Sequence, residues 1–341
     1  MPPSKEYKRH FRSDKDPSRY AHRHRGGVLL ELHGIELHLH PFLGFSLAPR
    51  HRSKAINTDD AGFRLSDSPF GTVDSRSWLR DGGGGLVLGN SVTIGLAASS
   101  DAETPVSHLA HLTGQRQLNV GICAGNSLQE LIAALPFLPK ASSVAVIAGG
   151  TDLINMIGSR RVDGVFGPVS YERAIEALTG IPMFDLVMLA EGEEPEAPAP
   201  RLERPEPPRW SLDDAASRMD EAVANRLRDL GFLVRAAPEG TPVVFCLQPF
   251  ATTRTRDCVP EELDRYHFEA PVFGMLHHTV EDLWDGYADR LRAGCERLGV
   301  HFLDLAARRF AGDSFADNVH LTDNGNRQAA ELIRDVLAKA A

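Results

Sequence analysis

Long apolar runs are missing from this chain. No stretch approaches the ~20 residues that a membrane span requires, which excludes a helical membrane protein as the expectation. Cysteine is scarce as well: Cys123, Cys246, Cys258 and Cys295 are scattered and form no CxxC pair. That spacing argues against a metal cage or a dense disulfide framework and fits a reducing compartment. An excess of positive charge is also lacking, since the formal net charge is -9. A nucleic-acid groove or an anionic membrane surface would need a large basic face, so neither is expected as the main partner. A signal peptide is not evident either. The most apolar early stretch, residues 28–47, is interrupted by Glu31, Glu36 and several histidines and has no small-residue cleavage site after it. Cytoplasmic residence is the expectation.

What is present describes a globular protein. A hydrophobic fraction of 42% with 24% charged residues supports a sizeable core. Lys5, Lys8, Arg9, Arg12, Lys15, Arg19, Arg23 and Arg25 make the start basic, and residues 1–26 read as a solvated flexible arm. The remaining 27–341 reads as one α/β domain with a β-rich preface over 27–84. In that preface, alternation over Leu30–His33 and Ile35–His40, broken by Gly34, predicts a β-hairpin. His38 and His40 would share one strand face, but two histidines without a further ligand make a poor metal site, and no metal is expected.

From Leu86 onward, short apolar runs alternate with helical periodicity. Strands are predicted at Leu86–Leu88, Leu118–Cys123, Val144–Ala148, Pro242–Leu247 and His301–Leu305. Helices are predicted at Pro105–Leu112, Leu128–Leu135, Leu212–Leu230, Val280–Leu298 and Asp323–Ala340, with caps at Ser127, Ser211 and Thr322. Near-continuous apolar strands separated by helices predict a doubly wound parallel sheet covered on both faces. Ligands then sit beyond the carboxyl ends of the strands. An insertion over 153–210 interrupts the order. Its Pro- and Glu-rich part, 191–209, reads as a flexible loop, and Tyr171–Leu189 as a lid or accessory helical hairpin.

The stretch Leu86-Val87-Leu88-Gly89-Asn90-Ser91 ends an apolar run just before cap-rich sequence. A serine there either caps the amides of a strand-to-helix turn or serves as a nucleophile. Nucleophilic serine needs a histidine oriented by a carboxylate. Of the 14 histidines, His320 has the suitable setting, Asp317-Asn318-Val319-His320, between the last predicted strand and the last helix. Its alternative role is to shape that helix entrance together with Asp317 and Thr322. Donors for an oxyanion are available at the second and third strand ends, in Cys123-Ala124-Gly125-Asn126 and Gly149-Gly150-Thr151-Asp152. Arg160-Arg161, after the third strand, reads as a solvated pair that could instead receive an anionic ligand group.

These pieces, in this order over residues 86–322, resemble the SGNH, or GDSL, hydrolase family. His40-Pro41-Phe42-Leu43-Gly44-Phe45 and Val244 to Pro249 are similar to a bacterial branch of it. The resemblance implies a flavodoxin-like three-layer sandwich with a five-stranded parallel sheet. It implies an ester hydrolase or acyltransferase, free of metal and cofactor, acting on a small-molecule acyl ester. Ser91 is then the nucleophile, His320 the base and Asp317 its orienter. The oxyanion hole is formed by the N–H of Ser91, the N–H of Gly125 and the side chain at 151. Two positions depart from the family's pattern: Thr151 stands where the family has asparagine, and Asn90 where it often has aspartate. The Thr151 hydroxyl, Asn155 or Asn126 are the alternatives for the missing amide, and a binding protein without catalysis is the competing reading.

Overall fold

In a computed structural model, residues 37–159, 166–169, 187–188, 191–192, 214–250 and 259–340 are described. The basic arm, Cys258, Arg160, Arg161 and most of the insertion, including Tyr171–Leu189 apart from 187–188, lie outside these residues.

The described part begins with an antiparallel pair, β1 (Leu37–His40) and β2 (Gly44–Leu47). The expected hairpin about Gly34 lies, up to residue 36, outside the described residues; the pair seen here turns at Pro41–Leu43. The His40 ring explains the turn, because Nδ1 accepts from the backbone N–H groups of Phe42 and Leu43 at 3.2 Å each. After an irregular stretch comes α1 (Ser75–Arg80), which the sequence reading missed; Asp74 caps it and Trp78 anchors it in the core.

Five strands then form the main sheet: β3 (Gly84–Gly89), β4 (Gln117–Gly121), β5 (Ala141–Ala148), β6 (Val243–Leu247) and β7 (His301–Asp304). All pair in parallel in the order β4-β3-β5-β6-β7. The expected five strands are all present. With β3 counted first, the order is 2-1-3-4-5, the flavodoxin-like winding. Alternate residues of each strand enter two separate cores, because successive side chains point to opposite faces. Leu86, Leu88, Val144, Val146 and Phe245 pack under α4 (Ser127–Ala134), α5 (Gly150–Gly158), α6 (Ala215–Ala236) and α7 (Pro260–Leu298). Val87, Ala145, Ile147, Val244 and Cys246 pack under α3 (Pro105–Thr113) and α8 (Asp323–Ala340). That is the three-layer sandwich.

Three helix expectations are corrected. The first concerns α4, which is capped by Asn126, whose side chain accepts from Gln129 N–H in a capping box, so Ser127 is already inside the helix. The second concerns α7, expected from Val280, which starts about one half-length earlier, at Pro260, and whose backbone stays helical through Pro271 although proline removes a helix hydrogen bond. His277 and His278 therefore lie within this helix. The third concerns Gly149-Gly150-Thr151, which reads as turn chemistry but leads directly into α5, so Thr151 occupies the first turn of a helix. Ser211 lies outside the described residues. Thr322 does cap α8, its hydroxyl accepting from Gly325 N–H at 3.3 Å.

Candidate active site

Ser91 leaves the carboxyl end of β3 at the point where the strand order reverses, and opens the short helix α2 (Ser91–Ile94). The last residue of β3, Gly89, has φ +147°, and a Cβ there would lie 2.1 Å from the Ile147 carbonyl oxygen. Only glycine lets the chain turn this close to the neighbouring strand. Four side chains then fix α2. Asn90 caps it, with Oδ1 accepting from Val92 N–H at 3.0 Å. Thr93 donates to the carbonyls of Leu88 at 3.3 Å and Ile147 at 2.9 Å, a shared bond into β3 and β5. Asn119, buried in β4, donates to the Thr93 carbonyl at 3.1 Å. Arg64, from the preface, donates to the carbonyls of Gly95 at 2.6 Å, Ile94 at 3.3 Å and Ala55 at 2.5 Å. Its charge is matched by Asp101 at 2.9 Å. The helix opened by Ser91 is thus tied to β3, β4, β5 and the preface.

His320 approaches from the loop before α8. Its Nε2 is 2.8 Å from Ser91 Oγ, and its Nδ1 is 2.6 Å from Asp317 Oδ2. A carboxylate only accepts, so Nδ1 carries the proton and Nε2 is left to accept from the serine hydroxyl. The other Asp317 oxygen accepts from the N–H groups of Val319 at 2.7 Å and His320 at 2.6 Å. Burial pushes the Asp317 carboxyl up, but the neighbouring His320 and these amides outweigh it, and the group sits below the ordinary carboxylate range. It therefore stays ionised wherever the imidazole needs an acceptor.

The second and third strand ends reach the same edge. Gly125 follows Ala124, whose φ of +51° is a left-handed conformation uncommon for a residue with a side chain. A Cβ on Gly125 would lie 2.2 Å from the Ile122 side chain. Thr151 lies beside the Ser91 turn, its Oγ1 accepting from Asn90 Nδ2 at 2.8 Å. Thr151 and Asn90 are thus in direct contact. Asn126 is not a replacement donor, since it caps α4 and its Nδ2 donates to the carbonyls of Phe166 and Pro168. Asn155 sits one turn further along α5 than Thr151.

Below these two loops lies a buried ionic cluster that sequence reading did not find. Arg226 of α6 donates to Glu130 at 2.6 Å and to Asp152 at 2.7 Å. Asp152, next to Thr151, also accepts from Ser127 N–H at 3.0 Å, two residues after Gly125. Two carboxylates sharing one guanidinium out of water favour retention of a proton: burial pushes Glu130 up to about 8 against the pull of Arg226, and Asp152 is raised as well. Glu262 and Gln248 were missed too. Glu262 carries a legible signal, since Pro at the first helical position with Glu at the third is a helix-start signature. Gln248 carries none beyond its place at a strand end.

Two further histidines, both on α3, have local partners: His108 lies 3.2 Å from Glu103 and His111 lies 2.7 Å from Asp67. Among the described residues no three His, Cys, Asp or Glu side chains are grouped to hold a metal ion. No described helix is long and apolar enough to cross a membrane.

No family model matches the chain, and no curated protein matches it. Solved structures that align with it include a GDSL-like protein from Bacteroides ovatus, with 11% identity, a TM-score of 0.41, and coverage of 75% of this chain and 53% of that one. This chain thus spans about half the length of that structure. Phospholipase A1 from Streptomyces albidoflavus aligns with 14% identity over 76% of this chain and 100% of that one, TM-score 0.40. Est24, a carbohydrate acetylesterase from Sinorhizobium meliloti, aligns with 14% identity over 75% and 98%, TM-score 0.40.

Proposed function

We propose that this protein is a serine ester hydrolase acting on a small or carbohydrate-like acyl ester. The observation that carries the reading is the series Asp317–His320–Ser91, two hydrogen bonds of 2.6 and 2.8 Å joining residues from opposite ends of the sequence. A serine hydroxyl bonded to an imidazole whose far nitrogen is held by an ionised carboxylate is an activated nucleophile.

Ser91 Oγ attacks the acyl carbonyl while His320 Nε2 takes the hydroxyl proton. Asp317 stabilises the imidazolium and stays ionised. Negative charge on the former carbonyl oxygen is received by the N–H groups of Ser91 and Gly125 and by the Thr151 hydroxyl. Collapse breaks the ester C–O bond, His320 returns the proton to the departing alkoxide, and the acyl group remains on Ser91. Water then repeats the sequence from the other side, with His320 again as base. An acyltransferase would use the same residues with a bound hydroxyl or amine in place of water.

The purified protein is expected to hydrolyse p-nitrophenyl acetate and to react at Ser91 with a fluorophosphonate. Ser91→Ala should lower kcat by about 10⁴-fold or more. Full activity in that variant would end the assignment; labelling without hydrolysis, with turnover restored by an added alcohol, would select the transferase.

A further inference from the structure

Thr151 raises a question of direction. A hydroxyl is both donor and acceptor, so in the place of an amide it serves an oxyanion only if its proton faces the reacting oxygen. The surroundings of Asn90 decide this. Asn90 is completely buried, and its Oδ1 is committed to Val92 N–H. The amide orientation is therefore settled, and the NH₂ group faces Thr151 and Gln248. One N–H enters Thr151 Oγ1 at 2.8 Å, and the other bonds Gln248 Oε1. The threonine oxygen is thus already an acceptor on its Asn90 side, and its own proton must point elsewhere. Among the described residues no side chain or carbonyl is bonded to that proton.

Gln248 supplies a second, independent observation. It is fully buried at the end of β6, and its Nε2 has no hydrogen-bond partner among the described residues. Burying a donor unsatisfied is unfavourable, and such groups ask for a reason. The reason here is that Gln248 must turn its oxygen, and not its NH₂, toward Asn90. With the amide reversed, two NH₂ groups would face each other and Asn90 would lose its anchor.

We propose that Asn90 and Gln248 are positioning residues that make Thr151 an obligate donor to the oxyanion. The chain Gln248 Oε1, Asn90 NH₂, Thr151 Oγ1–H is polarised in one sense, ending at the reacting oxygen. Asn90 in this role compensates for the threonine: its amide supplies the directionality that an asparagine at 151 would carry itself. The inference rests on the ester-hydrolase reading of Ser91.

Asn90→Asp tests it with little change in shape. Aspartate still caps Val92 N–H, and Gln248 can rotate its amide to satisfy the new carboxylate with the NH₂ that is now unpartnered. The carboxylate, however, accepts from Thr151, and the hydroxyl proton turns away from the oxyanion. The readouts are p-nitrophenyl acetate kinetics and the rate of fluorophosphonate labelling at Ser91, with Tm as the control. Asn90→Asp is expected to lower kcat by about 10- to 100-fold and to slow labelling in parallel, with KM and Tm little changed; Thr151→Val is expected to cost about 100-fold. In the Thr151→Val background, Asn90→Asp should cost nothing further. Unchanged kcat in Asn90→Asp, or losses that multiply in the double variant, would overturn the proposal. A wild-type protein that neither hydrolyses the ester nor labels at Ser91 would instead overturn the hydrolase reading, and this inference with it.

Discussion

Glu262 Oε1 accepts from the backbone N–H of Ser314 at 2.6 Å and of Phe315 at 2.9 Å, so the first turn of α7 grips the loop that carries Asp317 and His320. Its other oxygen caps its own helix through Val259 N–H at 3.2 Å. Within the loop, Ala316 N–H donates to the His320 carbonyl at 2.8 Å and Thr322 N–H to the Ser314 carbonyl at 3.0 Å. The imidazole is therefore aimed by a carboxylate more than fifty residues upstream.

Glu262→Ala leaves two buried amides without an acceptor, at about 1–3 kcal/mol each. Tm should fall, and kcat should fall with KM little changed, because the base is misplaced while the cleft persists. Glu262→Gln keeps an accepting oxygen and should restore most of both. Scanning fluorimetry and steady-state kinetics on the pair check this; equal losses in the two variants would show that charge and not acceptance matters.

Arg64 is the bridge between the preface and the Ser91 turn. Its guanidinium is fully buried against Asp101 and the carbonyls at the end of α2. Removing one partner of such an arrangement typically costs about 3–5 kcal/mol. Arg64→Met should lower Tm by several degrees and slow phosphonylation of Ser91, since α2 loses its hold at the end opposite the serine. A variant with wild-type Tm would show that the preface contributes nothing to that rigidity.

The buried cluster gives a pH dependence. Glu130 in the folded protein titrates at about 8 against an ordinary value of 4.5. Between those values the folded state holds a proton that the unfolded chain releases. The stability tied to that proton is complete below about 4.5 and is lost as pH rises through about 8. Glu130→Gln, neutral throughout, removes that loss. Its Tm relative to wild type should therefore be higher at pH 9 than at pH 6; a difference independent of pH would mean that Glu130 is ionised throughout, satisfied by Arg226.

Sequence alone determined the sheet and the candidate residues, because both are local. Five apolar runs read as buried strands since parallel strands are covered on both faces, and the alternation of Leu86 and Leu88 with Val87 already divides the two cores. Gly89-Asn90-Ser91 and Asp317-Asn318-Val319-His320 are short patterns that a reader sees without knowing what faces them. Tertiary structure decided what they touch. The β1–β2 turn at Pro41–Leu43 is held by the His40 ring, which accepts from two turn amides, and α7 runs through Pro271 against the local rule. Asn90 meets Thr151 and Gln248 across separations of 61 and 158 residues. A hydrogen-bond acceptor that far along the chain is chosen by the winding of the sheet, which brings β3, β5 and β6 to one edge. Local sequence specifies which groups must be satisfied; only the packed fold decides by which partners, and here that choice sets the direction of the Thr151 proton.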